Sequence, residues 1–103
     1  MEKLPFSTRF SLLANADGIF AEAKNRLPIA EVENPSSQVW LDLAEDFKRA
    51  GQYYRQADLG LMSRRAFEYA SRCYREAGDI DASDRCGARA KCIPAYWEEA
   101  GDE

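Results

Sequence analysis

A chain of 103 residues has room for one hydrophobic core, burying roughly two-thirds of the surface its unfolded form exposes. With 46% apolar and 31% charged residues and no polar tract, the composition is globular and excludes a disordered chain. The absence of histidine removes the commonest general base and metal ligand, and the net charge of −4 argues against direct nucleic-acid binding.

No apolar run approaches the length needed to cross a bilayer. The start, Met1-Glu-Lys-Leu-Pro-Phe6, lacks the basic-then-apolar layout of a secretion signal, so a cytoplasmic location is expected. Cys73, Cys86 and Cys92 form no Cys-x-x-Cys pair, and reduced thiols are expected. Charge is segregated along the chain. Residues 1–47 carry four basic and eight acidic side chains, residues 48–91 ten basic and six acidic, and residues 92–103 four acidic and no basic.

In chain order, Phe10, Leu13, Ala16, Phe20, Ala23 and Leu27 recur at helical spacing. They predict a first helix over about 8–26, capped by Ser7 or Thr8 and ended by Pro28, with Gly18 as its weak point. A loop over 28–37 leads to Ser36 or Ser37 as the next cap. Trp40, Leu43, Phe47 and Ala50 then line a second helix, which Gly51 is expected to stop.

The pattern resumes through Tyr54, Ala57, Ala66, Ala70 and Tyr74, predicting a third helix over about 53–77 with Gly60 as its weak point. Gly78 ends it and Asp79 caps a fourth helix with small residues at Ala82, Gly87, Ala88 and Ala90. Pro94 opens a last short helix through Trp97. No alternating β-branched run predicts a sheet. The fold class is thus all-α, one domain of four to five helices: an N-terminal helix and loop over 1–35, stacked hairpins over 36–100, and a tail at 101–103.

Phe47-Lys-Arg-Ala-Gly51, Tyr74-Arg-Glu-Ala-Gly78 and Trp97-Glu-Glu-Ala-Gly101 share one pattern. An aromatic residue near a helix end can fill the gap between antiparallel helices. Alanine lets the backbones close, and glycine takes the left-handed conformation that stops the helix. The pattern resembles the tetratricopeptide-repeat superfamily over about residues 38–95: Trp40, Leu43, Ala44, Phe47 and Gly51 in one unit, and Phe67, Tyr74, Gly78, Asp79, Ala90 and Ile93 in a second. The 27-residue offset is shorter than the family's period. The resemblance implies antiparallel helical hairpins and a surface that binds a peptide or helix of a partner. A hairpin about Gly78 further predicts Tyr74 near Ala82, Ala70 near Cys86, and Phe67 near Arg89 or Ala90.

Catalytic and metal chemistry finds no constellation in the sequence. Cys73 and Cys86 fall on apolar stripes, where free cysteine acts as a small hydrophobe. Asp79-Ile-Asp81-Ala-Ser83-Asp84 begins like a calcium loop but has Asp84 and Ala90 where that loop needs glycine and glutamate. No enzyme activity, cofactor or metal is expected. Arg65, Arg72 and Arg75 share a helix face. The economical account is a solvated face balanced by Glu68 and Glu76, and the functional one is a basic stripe for an acidic peptide. Tyrosine with arginine is the usual mixture at binding hot spots, so Tyr53, Arg65, Tyr69 and Arg72 form the candidate partner-binding face.

The expected function is a non-enzymatic protein-protein interaction module: an adaptor, chaperone or assembly factor. One alternative is a small inhibitor of a nucleic-acid-processing complex, of the phage anti-defence or anti-CRISPR kind. It would use Glu31, Glu33, Asp42, Glu45 and Asp46, or Glu98, Glu99, Asp102 and Glu103, as phosphate mimics. A homo-oligomer whose hairpins complete one another's core is a further alternative.

Overall fold

A computed structural model of the chain describes residues 6–33 and 36–93, with side chains from Thr8 onward. Among the described residues there are four helices and no strand: α1 (Phe6–Glu33), α2 (Ser37–Gln56), α3 (Gly60–Ala77) and α4 (Ile80–Cys92). The short helix and third repeat copy expected beyond Pro94 lie outside the described residues.

Cross-helix contacts fix the directions. Tyr54 on α2 meets Asp17 on α1, while Arg26 meets Asp46. Ser63 Oγ on α3 donates to the Gly51 carbonyl of α2 at 2.7 Å, and Phe47 stacks on Tyr69. Ser71 and Ser83 hydroxyls lie 3.0 Å apart, and Arg89 covers the Phe67 ring at 5.2 Å. In each helix pair, moving up one helix means moving down the other, so consecutive helices form antiparallel hairpins. The Phe67–Arg89 contact expected from a turn at Gly78 is present. Tyr74, Ala82 and Cys86 line one small depression beside it. Phe20 of α1 also reaches Tyr69 of α3, so α1 and α3 lie side by side with α2 across both.

Three sequence expectations fail, each for a tertiary reason. Pro28 does not end α1, which continues to Glu33 with the proline inside. The missing N–H and the ring's crowding of the preceding turn usually break a helix. Here Ala16, Phe20, Ala23, Leu27 and Ala30 form one buried stripe on both sides of Pro28, so keeping helical register buries both halves. Phe10, assigned to that stripe, is instead 61% exposed.

Gly51 does not stop α2. It is a buried interior residue of α2, and a Cβ built there would lie 3.0 Å from Cδ2 and Cε2 of Phe67. Its lack of a side chain serves close approach of α3, not termination. The reversal falls at Ala57–Leu59, so no helix spans 53–77 and Gly60 is the first residue of α3.

The turn that ends α2 has the same chemistry as the turn at Gly78, shifted by 20 positions. Asp58 adopts a left-handed φ of 63°, Asp58 N–H donates to the Arg55 carbonyl at 3.2 Å, and Leu59 N–H donates to Tyr54 at 2.9 Å. Gly78, at φ 88°, donates to Arg75 at 3.0 Å and Asp79 to Tyr74 at 2.9 Å. The working repeat is therefore Tyr54-Arg-Gln-Ala-Asp58 with Tyr74-Arg-Glu-Ala-Gly78. Aspartate tolerates the left-handed region better than most residues with a Cβ, which hid the first copy from a search for glycine.

The starts of α2 and α4 agree with expectation. Ser36 precedes α2, although its side chain makes no capping bond. Asp79 accepts from Ala82 N–H at 3.1 Å, satisfying one orphan donor at the positive end of the helix dipole.

Candidate basic interaction face

The exposed ridge of α3 results from its own periodicity. Ala66, Phe67, Ala70, Cys73 and Tyr74 are buried, which turns Arg65, Glu68, Arg72 and Arg75 outward. Between this ridge and α1 lies a depression of about 410 Å³ lined by Phe20, Lys24, Arg65, Glu68, Tyr69 and Arg72. Three of the four sequence-predicted residues, Arg65, Tyr69 and Arg72, meet here. Tyr53 is not among its lining residues; it sits on α2, half-buried against the core.

Tyr69 also differs from expectation. It is not a free surface aromatic but the outer member of a ring cluster. It stacks on Phe47 at 4.9 Å between centroids and 17° between planes, and meets Phe20 edge-on at 5.7 Å. Lys24 lies over both Phe20 and Tyr69, at 5.6 and 6.0 Å. The floor is thus apolar and rigid, and the rim is cationic. Sequence reasoning missed Phe20 and Lys24 because they come from α1, far away in the chain.

On the other flank of the ridge, α3 and α4 enclose a shallower basin of about 610 Å³, to which Arg64, Arg72, Arg75, Asp84 and Lys91 contribute. The two depressions together present Lys24, Arg64, Arg65, Arg72, Arg75 and Lys91 against Glu68 and Asp84, a positive surface on a chain of net charge −4. Arg72 Nη2 is held by Glu31 Oε1 at 2.8 Å. Among the described residues Arg64, Arg65 and Arg75 form no ion pair.

The acidic residues of 31–46 are engaged within the fold. Glu31 binds Arg72 and Asp46 binds Arg26; Glu45 accepts from Tyr74 Oη at 2.8 Å, and Asp42 from Gln38 at 2.9 Å. The acidic cluster at 98–103 lies outside the described residues.

The buried ionisable groups are held neutral. Burial pushes the Cys73 thiol up to about 12 and raises Cys86, Tyr54 and Tyr74; the phenols are raised further by the Asp17 and Glu45 carboxylates they bond. Cys92 is exposed. Native protein treated with a thiol-reactive disulfide at pH 8 is therefore expected to lose one thiol quickly, Cys92, and the other two only on unfolding. Equal reactivity of all three would contradict this. The stability tied to the raised thiols and phenols is fully present below their ordinary ionisation range. It is lost as pH rises toward their folded values, because the unfolded state releases those protons first.

Among the described residues no three histidine, cysteine or carboxylate side chains converge as metal ligands, and no helix is long and apolar enough to cross a membrane. Comparison with protein-family models, curated proteins and solved structures finds no match to this chain.

Proposed function

We propose that the chain is a non-enzymatic protein-binding module whose α3 ridge captures an acidic, partly apolar segment of a partner protein. The observation that supports this most is the unpaired positive rim of Arg64, Arg65 and Arg75 around the aromatic floor of Phe20 and Tyr69. An aromatic anchor beside arginine is the pairing that dominates binding energy at protein interfaces, and guanidinium groups bind carboxylates in a bidentate manner. In this reading α2, α3 and α4 are hairpins of tetratricopeptide type, with the first reversal at Asp58. An adaptor, chaperone or assembly role fits such a surface. The acid-mimic inhibitor reading draws less support, since the carboxylates of 31–46 already have partners within the fold.

The test uses a fluorescein-labelled peptide of alternating glutamate and leucine, followed by anisotropy. Arg65→Glu with Arg75→Glu, both on exposed side chains, is expected to weaken binding by about tenfold or more, near 1.4 kcal/mol. Glu31→Gln should act in the opposite direction, because it releases Arg72 from the carboxylate that now occupies it. Binding that ignores the arginine substitutions would overturn the reading. Loss of co-purifying protein from cells expressing the double variant would extend it to the natural partner.

A further inference from the structure

The outward face of α1 is unlike that of any other helix in the fold. On α2, α3 and α4 the exposed positions are rich in charge, such as Asp42, Glu45 and Arg49, Arg65 and Arg72, or Asp84, Arg85 and Arg89. On α1 the exposed stripe opposite Ala16, Phe20, Ala23 and Leu27 runs through Phe10, Ala14, Ala21, Pro28 and Val32, with Ile29 beside it. Phe10 is 61% exposed, Ile29 57% and Val32 85%. These are three of the five large hydrophobics recorded as exposed among the described residues, and a fourth, Val39, lines a shallow apolar depression with Ile29 and Leu43. A helix apolar on both sides is one that is covered on both sides. Here α2 and α3 cover only one.

We infer that this face of α1 pairs with the same face of a second copy of the chain, antiparallel, about a two-fold axis passing by Ala21. The stripe is self-complementary in that arrangement, as a two-fold interface requires. Phe10 and Val32 lie equally far from Ala21 on opposite sides, so each Phe10 meets the other copy's Val32. Ala14 meets Pro28 in the same way, and Ala21 meets itself. Small side chains at the centre let the helices approach closely, and large ones at the ends close the seam.

Charge agrees as well: Lys24 and Asp17, on one edge of the stripe and on opposite sides of the axis, come together across it as a cation and an anion. From Phe10 to Val32 the strip is about 33 Å long at 1.5 Å per residue and roughly 10 Å wide. Its footprint is below the roughly 800 Å² per partner of a standard stable interface. The dimer is therefore weak, with Kd of order 10–100 μM.

Sedimentation equilibrium on the full chain from about 5 to 500 μM brackets that Kd. A monomer-to-dimer shift is expected across the range. Ala21→Arg, which sets two like charges against each other on the axis, should hold the chain monomeric with an unchanged helical circular dichroism spectrum. In a Cys92→Ser background, Ala21→Cys should form a disulfide-linked dimer under mild oxidation, and Ala88→Cys on exposed α4 should not. A chain that stays monomeric at 500 μM would overturn the inference. So would a dimer indifferent to Ala21→Arg, or cross-linking no better through Ala21 than through Ala88.

Discussion

Gly51→Val is expected to destabilise the fold by about 3 kcal/mol, the upper part of the usual range for overpacked cores. The equivalent change at the other mid-helix glycine, Gly18→Ala, should stabilise it by about 0.5–1 kcal/mol. Both residues interrupt a helix and carry the same propensity cost. They differ in what surrounds them. A Cβ at Gly18 meets nothing within 4 Å, so alanine there only removes the glycine's conformational entropy.

A Cβ at Gly51 falls 3.0–3.2 Å from Cγ, Cδ2 and Cε2 of Phe67. That ring cannot yield, because it is fully buried and Arg89 lies over it. The adjacent Gly51 carbonyl is tied to Ser63 Oγ at 2.7 Å, so α3 cannot slide away without abandoning a buried hydrogen bond. Gly51→Ala should lie between the two, with overpacking of ~1–3 kcal/mol exceeding a propensity gain of about 1 kcal/mol. Urea unfolding of the three variants gives the order directly. A Gly51→Ala protein more stable than the parent would show that α2 and α3 separate freely.

Phe47→Ala is expected to cost about 3–5 kcal/mol, a large share of the ~5–15 kcal/mol available to a domain of this size. Phe47 is fully buried and its ring is the joint between three helices: it meets Phe20 of α1 at 5.7 Å and Tyr69 of α3 at 4.9 Å. Removing it leaves a cavity that no single helix can close by moving, since approach toward one neighbour opens a gap at the other. Phe47→Leu keeps most of the volume and should cost much less.

The same substitution carries a functional consequence. Tyr69 loses the ring it stacks on, so the floor of the basic face loosens. Phe47→Leu, if folded, should therefore weaken acidic-peptide binding although residue 47 touches no ligand. Chemical denaturation and the anisotropy assay separate the two effects. A Phe47→Ala cost below about 1 kcal/mol would mean that the cluster does not join the helices.

Much of this molecule was legible in the chain because it depends on neighbours within one helical turn. The helix content, the start of α2 after Ser36, the Asp79 cap, the stop at Gly78 and the outward arc of α3 with Arg65 and Arg72 all follow from local dihedral preference and periodicity. The remainder depends on contacts between residues distant in sequence. Whether Gly51 stops a helix or admits a ring depends on Phe67, sixteen residues later. Continuation through Pro28 depends on buried contacts at Leu27 and Ala30 that outweigh one missing hydrogen bond. The role of Tyr69 as a fixed floor was set by Phe20 and Phe47 on two other helices.

The same local pattern, an aromatic followed by alanine and glycine, occurs at Gly51 and at Gly78 and ends a helix at only one of them. Backbone sterics make glycine able to terminate a helix, and only the distance to the next helix decides whether its missing side chain serves a turn or a contact.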